Sequence, residues 1–285
     1  MEEASAHQGG AAGQIPRMPD RPPVSPGRTG APHDDRPESR RPAPASGPAG
    51  GAHPVPAVLT VIAVLLTIGA AATDVASFTR LGSVFASVMT SNIVFLGLAA
   101  ARGSATLAWH AAVSFAGYVA GVALGSRLAR TGQRRAGWGE MTWSPWIAAA
   151  LIAEVVAFTG FTVGWELTGA KPVGADQLVL LAVATLAMGM QSAVVVAIGI
   201  SGVSTTYMTG TLTTLIDAIA SPGPSKGTDV RRPIVLLALA AGAGLSGLLI
   251  ATAPAAVPLV PLAMVLAALG VGSGPLRRFH RHRPG

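Results

Sequence analysis

Cysteine is absent from the 285 residues, which excludes disulfides, thiolate metal sites and cysteine nucleophiles. Charge is scarce. Only 12% of residues are Asp, Glu, Lys or Arg, against the roughly 25% with which a water-soluble domain covers its surface. The shortage deepens along the chain, because six of the 13 acids and six of the 20 bases precede Val55. Aromatic residues make up 5%, and the bases gather in loops and tails instead of along one face. The net charge of +7 therefore fits cytoplasmic loops of a membrane protein and not a nucleic-acid partner. Also missing are a phosphate-cradling GxxxxGK[ST], an HExxH, a GxSxG and a dinucleotide fingerprint. The embedded polar residues include no converging nucleophile and base, so neither an enzyme, a cofactor nor a metal site is expected.

Half of the residues are hydrophobic, and they arrive in long runs after residue 56. Residues 1–56 hold twelve of the 22 prolines among Gly, Ala, Ser and Arg. Such a segment buries too little apolar surface to offset its ordering entropy, and it is expected to be a disordered cytoplasmic tail. It does not read as a signal peptide, since no charged start leads directly into an apolar run. Apolar periodicity then predicts helices at about 57–76, 83–101, 106–129, 145–168, 177–200, 203–220, 233–252 and 255–273. Most reach the roughly 20 residues needed to cross about 30 Å of hydrocarbon. A short basic tail, 276–285, follows the helical domain of 57–275.

Basic residues constrain the topology. Arg36, Arg40 and Arg41 lie in the tail, Arg127, Arg130, Arg134 and Arg135 in one long loop, and Lys226, Arg231 and Arg232 in another. Arg277, Arg278, Arg281 and Arg283 end the chain. The positive-inside rule places all four clusters in the cytoplasm. Eight full crossings would put both loops outside. Six crossings, with 83–101 and 203–220 interrupted or re-entrant, put every cluster inside. These two segments also resemble each other: with Met89 on Met208, Val84 matches Val203, Thr90 matches Thr209 and Leu96 matches Leu215. Halves of about 57–168 and 177–273 would each have three crossings, an odd number, and so opposite orientations.

Met89-Thr90-Ser91-Asn92 and Met208-Thr209-Gly210-Thr211 are the most informative stretches. Thr90, Asn92, Thr209 and Thr211 can bond freed backbone groups or coordinate a ligand, and Gly210 permits geometry other residues resist. The same small polar residues can instead serve close helix packing. Asp74, near the end of the first helix, is either an intramembrane functional carboxylate or an interfacial cap with Arg80 as partner. Glu154 lies well inside the fourth helix without a base nearby, so its partner comes from elsewhere or it carries a proton. Gln191, beside Ser192, places an amide within the hydrocarbon span, as helix glue or pathway lining. Asp217 reads as interfacial and Trp109-His110 as an interfacial pair. Gly117, Gly121 and Gly125 form a packing ridge.

Asp74, Phe85 and Met89-Thr90-Ser91-Asn92, followed by Gly189-Met190-Gln191-Ser192-Ala193 and Thr205-Thr206-Tyr207-Met208-Thr209-Gly210-Thr211, carry a family likeness. The chain resembles the YoaK-like bacterial membrane proteins, a family of unknown function, over about residues 57–275. It has Ser91 where the pattern usually has Gly, and Ser192 where Asn is common. The resemblance implies a multi-pass inner-membrane protein and names no substrate.

The sequence thus predicts an all-α polytopic transmembrane bundle of the bacterial cytoplasmic membrane, both termini inside, whose partners are the lipid bilayer and a small solute or ion. The two breaks are expected to face each other near the midplane, with Asp74 or Glu154 as coupling group. The alternative is a non-transporting assembly or regulatory component that recruits a partner through its tail. Either could be a homo-oligomer.

Overall fold

The computed structural model describes residues 57–133, 145–198, 208–220 and 231–273. Within them the apolar runs fold into α1 (Ala57–Arg80), α2 (Met89–Arg102), α3 (Ala105–Gln133) and α4 (Pro145–Leu167). They continue as α5 (Gly174–Ile198), α6 (Met208–Ala220), α7 (Arg231–Thr252) and α8 (Leu259–Ser273). A 3-10 turn, Pro254–Ala256, leads into α8. Among the described residues there is no strand. Helices α1, α3, α4, α5 and α7, and the Pro254–Ser273 unit, are long and apolar enough to cross a membrane. At 14 and 13 residues, α2 and α6 are too short for about 30 Å of hydrocarbon. The protein is an all-α polytopic helical bundle.

One expected helix starts late. Residues 83–88 are not helical, and α2 begins only at Met89. Gly82 (φ +94°) and Ser83 (φ +60°) turn the chain sharply after α1, and side chains of α1 and α2 take up the backbone groups that follow. The expected helical residues 203–207 and both tails lie outside the described residues.

Paired contacts give the helix directions. Gln177 Nε2 donates to the Arg80 carbonyl (2.8 Å) and Gln191 Nε2 to the Leu66 carbonyl (3.1 Å). Fourteen residues up α1 thus match fourteen down α5, and the two helices run antiparallel over about 21 Å. Gly242 abuts Ile68, and four residues on from each, Ser246 Oγ donates to the Ala72 carbonyl (2.9 Å). So α7 runs parallel to α1. On the other side Gly117, Gly121 and Gly125 meet Thr185, Leu186 and Ala193 in the same order, and α3 runs parallel to α5. The relations correspond: α3 lies on α5 as α7 lies on α1.

The pairing also crosses between the two sets of helices. Helix α1 packs chiefly on α7 and α8, whereas α5 packs chiefly on α3 and α4. Small residues permit the closest of these approaches. A Cβ at Gly121 would collide with the Leu186 carbonyl, and one at Gly189 with the Tyr118 carbonyl. Large side chains fill the rest of the centre: Ile62, Leu66, Leu151, Phe158, Phe161, Trp165, Leu181 and Met188 are all fully buried. Trp165 Nε1 donates to the Pro254 carbonyl (2.9 Å), tying the end of α4 to the start of the α8 unit.

Candidate functional site

The chain leaves α1 at Arg80, turns, and runs back alongside the helix it has just left. Ala86 and Ser87 reach the level of Asp74, six residues before the end of α1. Buried Asp74 holds them there. Its Oδ1 accepts from the Ala86 N–H (2.8 Å) and the Ser87 N–H (2.7 Å), and its Oδ2 from the Ser87 hydroxyl (2.6 Å). The carboxylate thus directs its bonds to the loop of Ala86 and Ser87, and none of them to Arg80. It supplies acceptors to amides that no helix or sheet serves, and in lipid such amides need an internal partner.

Asn92, fully buried, holds the same loop from the other side. Its Oδ1 accepts from the Phe85 N–H (3.0 Å), while Nδ2 donates to the Phe85 carbonyl (2.7 Å) and to Ser114 Oγ (2.7 Å). The Ser114 hydroxyl in turn donates to the Phe85 carbonyl (2.7 Å). One amide therefore serves both backbone groups of Phe85, as a neighbouring strand would. The Phe85 ring stacks between Phe78 and Phe95 (centroids 5.1 and 6.2 Å).

From this depth α2 climbs back out. Gly103, left-handed at φ +64°, ends it, and the Ser104 N–H returns to the Ala99 carbonyl (2.9 Å). Helix α3 then descends beside it, with Ser114 opposite Asn92. His110, buried near the start of α3, lies against Gly82. A ring nitrogen of His110 meets Gln177 Oε1 (3.0 Å), and the other meets the Thr106 carbonyl (2.7 Å). So α3 starts on the side where α1 ends, and segment 81–102 makes no net crossing. By the same reasoning α5, antiparallel to α1, ends on the side where α7, parallel to α1, begins. Helix α6 lies between those two ends.

The structure thus joins Asp74 and Asn92 in one site and places Thr90 and Gln191 apart from it. Thr90 is exposed on the outer face of α2. Gln191 is level with Leu66, about 12 Å along α1 from Asp74, and Glu154 is fully buried on α4. Gly210 is exposed on α6, where an added Cβ would meet nothing within 4 Å, and nothing is described of the Thr209 and Thr211 side chains. The second break begins in residues outside the described ones, and its expected meeting with the first lies outside them too; the described helix α6 packs on α7. Sequence reasoning overlooked Ser87, Ser114 and Gln177. Ser87 stood inside the segment 83–101, but no local pattern marked the other two. Of the Trp109-His110 pair, read as interfacial, Trp109 is exposed (65%) and His110 is buried and links three segments.

The loop, its two clasps and the short helix after it hold the first of the two stretches that carry the family likeness. The family model described as "Protein of unknown function (DUF1275)" matches residues 62–271, most of the chain. The chain belongs to the DUF1275 family. A curated relative, the UPF0700 transmembrane protein YoaK of Bacillus subtilis (strain 168), is 29% identical over 157 residues. That match covers 55% of this chain and 65% of the relative, just short of two thirds of its length. No solved structure matches the chain. Within DUF1275, then, this protein is a multi-pass membrane protein, and its candidate site is an unwound segment held inside the bundle.

Proposed function

We propose that the protein carries a small solute or ion across the bacterial cytoplasmic membrane, without chemical conversion of its cargo. The observation that carries this reading is the pair of antiparallel helices α1 and α5, each packed by a parallel helix from the other half, with a re-entrant segment after α1. Transporters recurrently combine inverted repeats with interrupted helices, because two equivalent halves can exchange one open side for the other. An irregular backbone at membrane depth is tolerated where it is buried in protein or lines a cavity. Segment 81–88 is of that kind, held by Asp74 and Asn92.

Orientation follows from the arginines. Arg127 and Arg130 close to the end of α3, and Arg231 and Arg232 at the start of α7, lie on the side where α1 begins. Under the positive-inside rule that side is cytoplasmic, and the Asp74–Asn92 loop lies toward the outer side.

The test begins with purified protein and a thermal-shift screen against metabolite pools, followed by flux of each stabilising solute into proteoliposomes. Wild type should accumulate at least one of them. Asn92→Leu should lower that flux at least tenfold while the protein still elutes as a folded species. Absence of flux for every stabilising solute, in either direction, would reject the proposal.

A further inference from the structure

Four buried side-chain atoms lack a partner among the described residues: Glu154 Oε1 and Oε2, Gln191 Oε1, and Ser77 Oγ. Three of the four are acceptor oxygens on helices that pack together, at one depth. Gly164 of α4 faces Leu180 of α5. Ten residues back along α4 stands Glu154, and ten residues on along α5 stands Met190, so in this antiparallel pair Glu154 is level with Gln191. Ser77 is elsewhere, about 16 Å along α1 from Leu66, to which Gln191 bonds.

Glu154 occupies the middle of the buried stripe of α4, whose other members, Ile147, Leu151, Phe158, Phe161 and Trp165, are apolar or bonded elsewhere. The Gln191 amide is fixed by its bond to the Leu66 carbonyl, which needs the nitrogen there and leaves the oxygen as the unpaired end. A carboxylate anion and an amide oxygen have no donor between them. One proton on the carboxyl group supplies it, since the O–H can donate to the amide oxygen. A hard divalent cation, Ca2+ or Mg2+, asks for about six or more oxygen ligands, and among the described residues three are unpaired at this depth.

Among the described residues, the ionisable groups on the surrounding helices do not replace that proton. Helix α8 has none, and α5 has only Asp176, in its first turn. Helix α3 brings His110, bound to Gln177, and Tyr118, whose hydroxyl donates to Ser192 Oγ (2.8 Å). It also brings Arg127, exposed on its outer side, and Arg130. Glu166 is exposed at the far end of α4. On α1, Asp74 is committed to Ala86 and Ser87, and Arg80 lies at the end beside Gln177.

We propose that Glu154 and Gln191 form a proton-binding site in the bundle core, which takes up and releases the proton that drives the transport cycle. The second clause rests on the transporter reading; the site itself does not. In the proton-loaded state of this site the carboxyl group holds a proton taken from water and donates it to the Gln191 amide oxygen at the same depth. Movement of α4 relative to α5 opens the pair to water, to which the proton is returned, leaving the carboxylate hydrated.

Infrared difference spectroscopy of the full-length protein in lipid nanodiscs, stepped in pH, tests this with the proton itself as probe. Wild type should show a protonated-carboxyl C=O band that is lost in Glu154→Gln. In Gln191→Leu the band should persist but move to higher frequency, because its acceptor is gone. The second variant decides the matter if the first does not fold. No such band in wild type, a band unaltered by Glu154→Gln, or one unmoved by Gln191→Leu would overturn the site. If the band behaves as stated but no solute moves under an imposed pH gradient, the transporter reading fails and the site stands.

Discussion

Asp74 and Asn92 both act through backbone groups, which sets what their replacements should do. Asp74→Leu strands two buried N–H groups and a hydroxyl, and should lower stability by about 3–5 kcal/mol. Asp74→Asn keeps one oxygen for both N–H groups, and the Ser87 hydroxyl can turn round to accept, so its cost should stay below about 2 kcal/mol. Thermal unfolding in detergent should rank wild type, Asn and Leu in that order; equal losses for Asn and Leu would contradict the hydrogen-bond scheme. Asn92 and Ser114 share the Phe85 carbonyl, so Asn92→Leu and Ser114→Ala should couple by about 0.5–3 kcal/mol in a double-mutant cycle. Asp74 and Asn92 were legible in the chain because carboxylates and amides are costly in hydrocarbon. Their partners were not, since Ser114 is 22 positions from Asn92 and pairs with it only once α2 folds back on α3.

Hydropathy located the helices but misplaced the beginning of α2. Val84, Phe85 and Ala86 are apolar, and an apolar run reports the solvent around a segment, not its hydrogen-bonding pattern. The turn at Gly82 was the available sign, and it has a packing cause as well as a conformational one. A side chain there would meet the His110 ring, and φ +94° suits only glycine. Gly82→Ala should therefore be destabilising by about 1–3 kcal/mol. The ridge on α3 was read as packing, and it meets α5 as that reading requires. Gly121→Leu should force α3 and α5 apart and lower the unfolding temperature well below that of Gly97→Leu, whose position on α2 has no neighbouring atoms within 4 Å. Equal effects at the two positions would remove the case for backbone contact between α3 and α5.

For the bundle as a whole, the absence of native cysteine makes the directions directly measurable. Single cysteines at Gly103, Gly169 and Ala253 should react with an impermeant maleimide added from one side of the membrane. Those at Ala57 and Ser273 should react only from the other. A mixed result would refute the no-net-crossing reading of 81–102 or the antiparallel pairing of α1 with α5. The odd number of crossings per half was deduced from arginine positions, whereas the exchange of first helices between halves was invisible, because no linear pattern says which apolar face meets which. That exchange bears on how the polypeptide is made. The ribosome delivers α1 first, yet its principal neighbours, α7 and α8, emerge last. Until then α1 must wait in lipid or with a chaperone, with a polar residue, Asp74, occupied by the segment synthesised immediately after it. Chains stalled before α7 should accordingly be degraded, and separately translated halves should survive only when produced together.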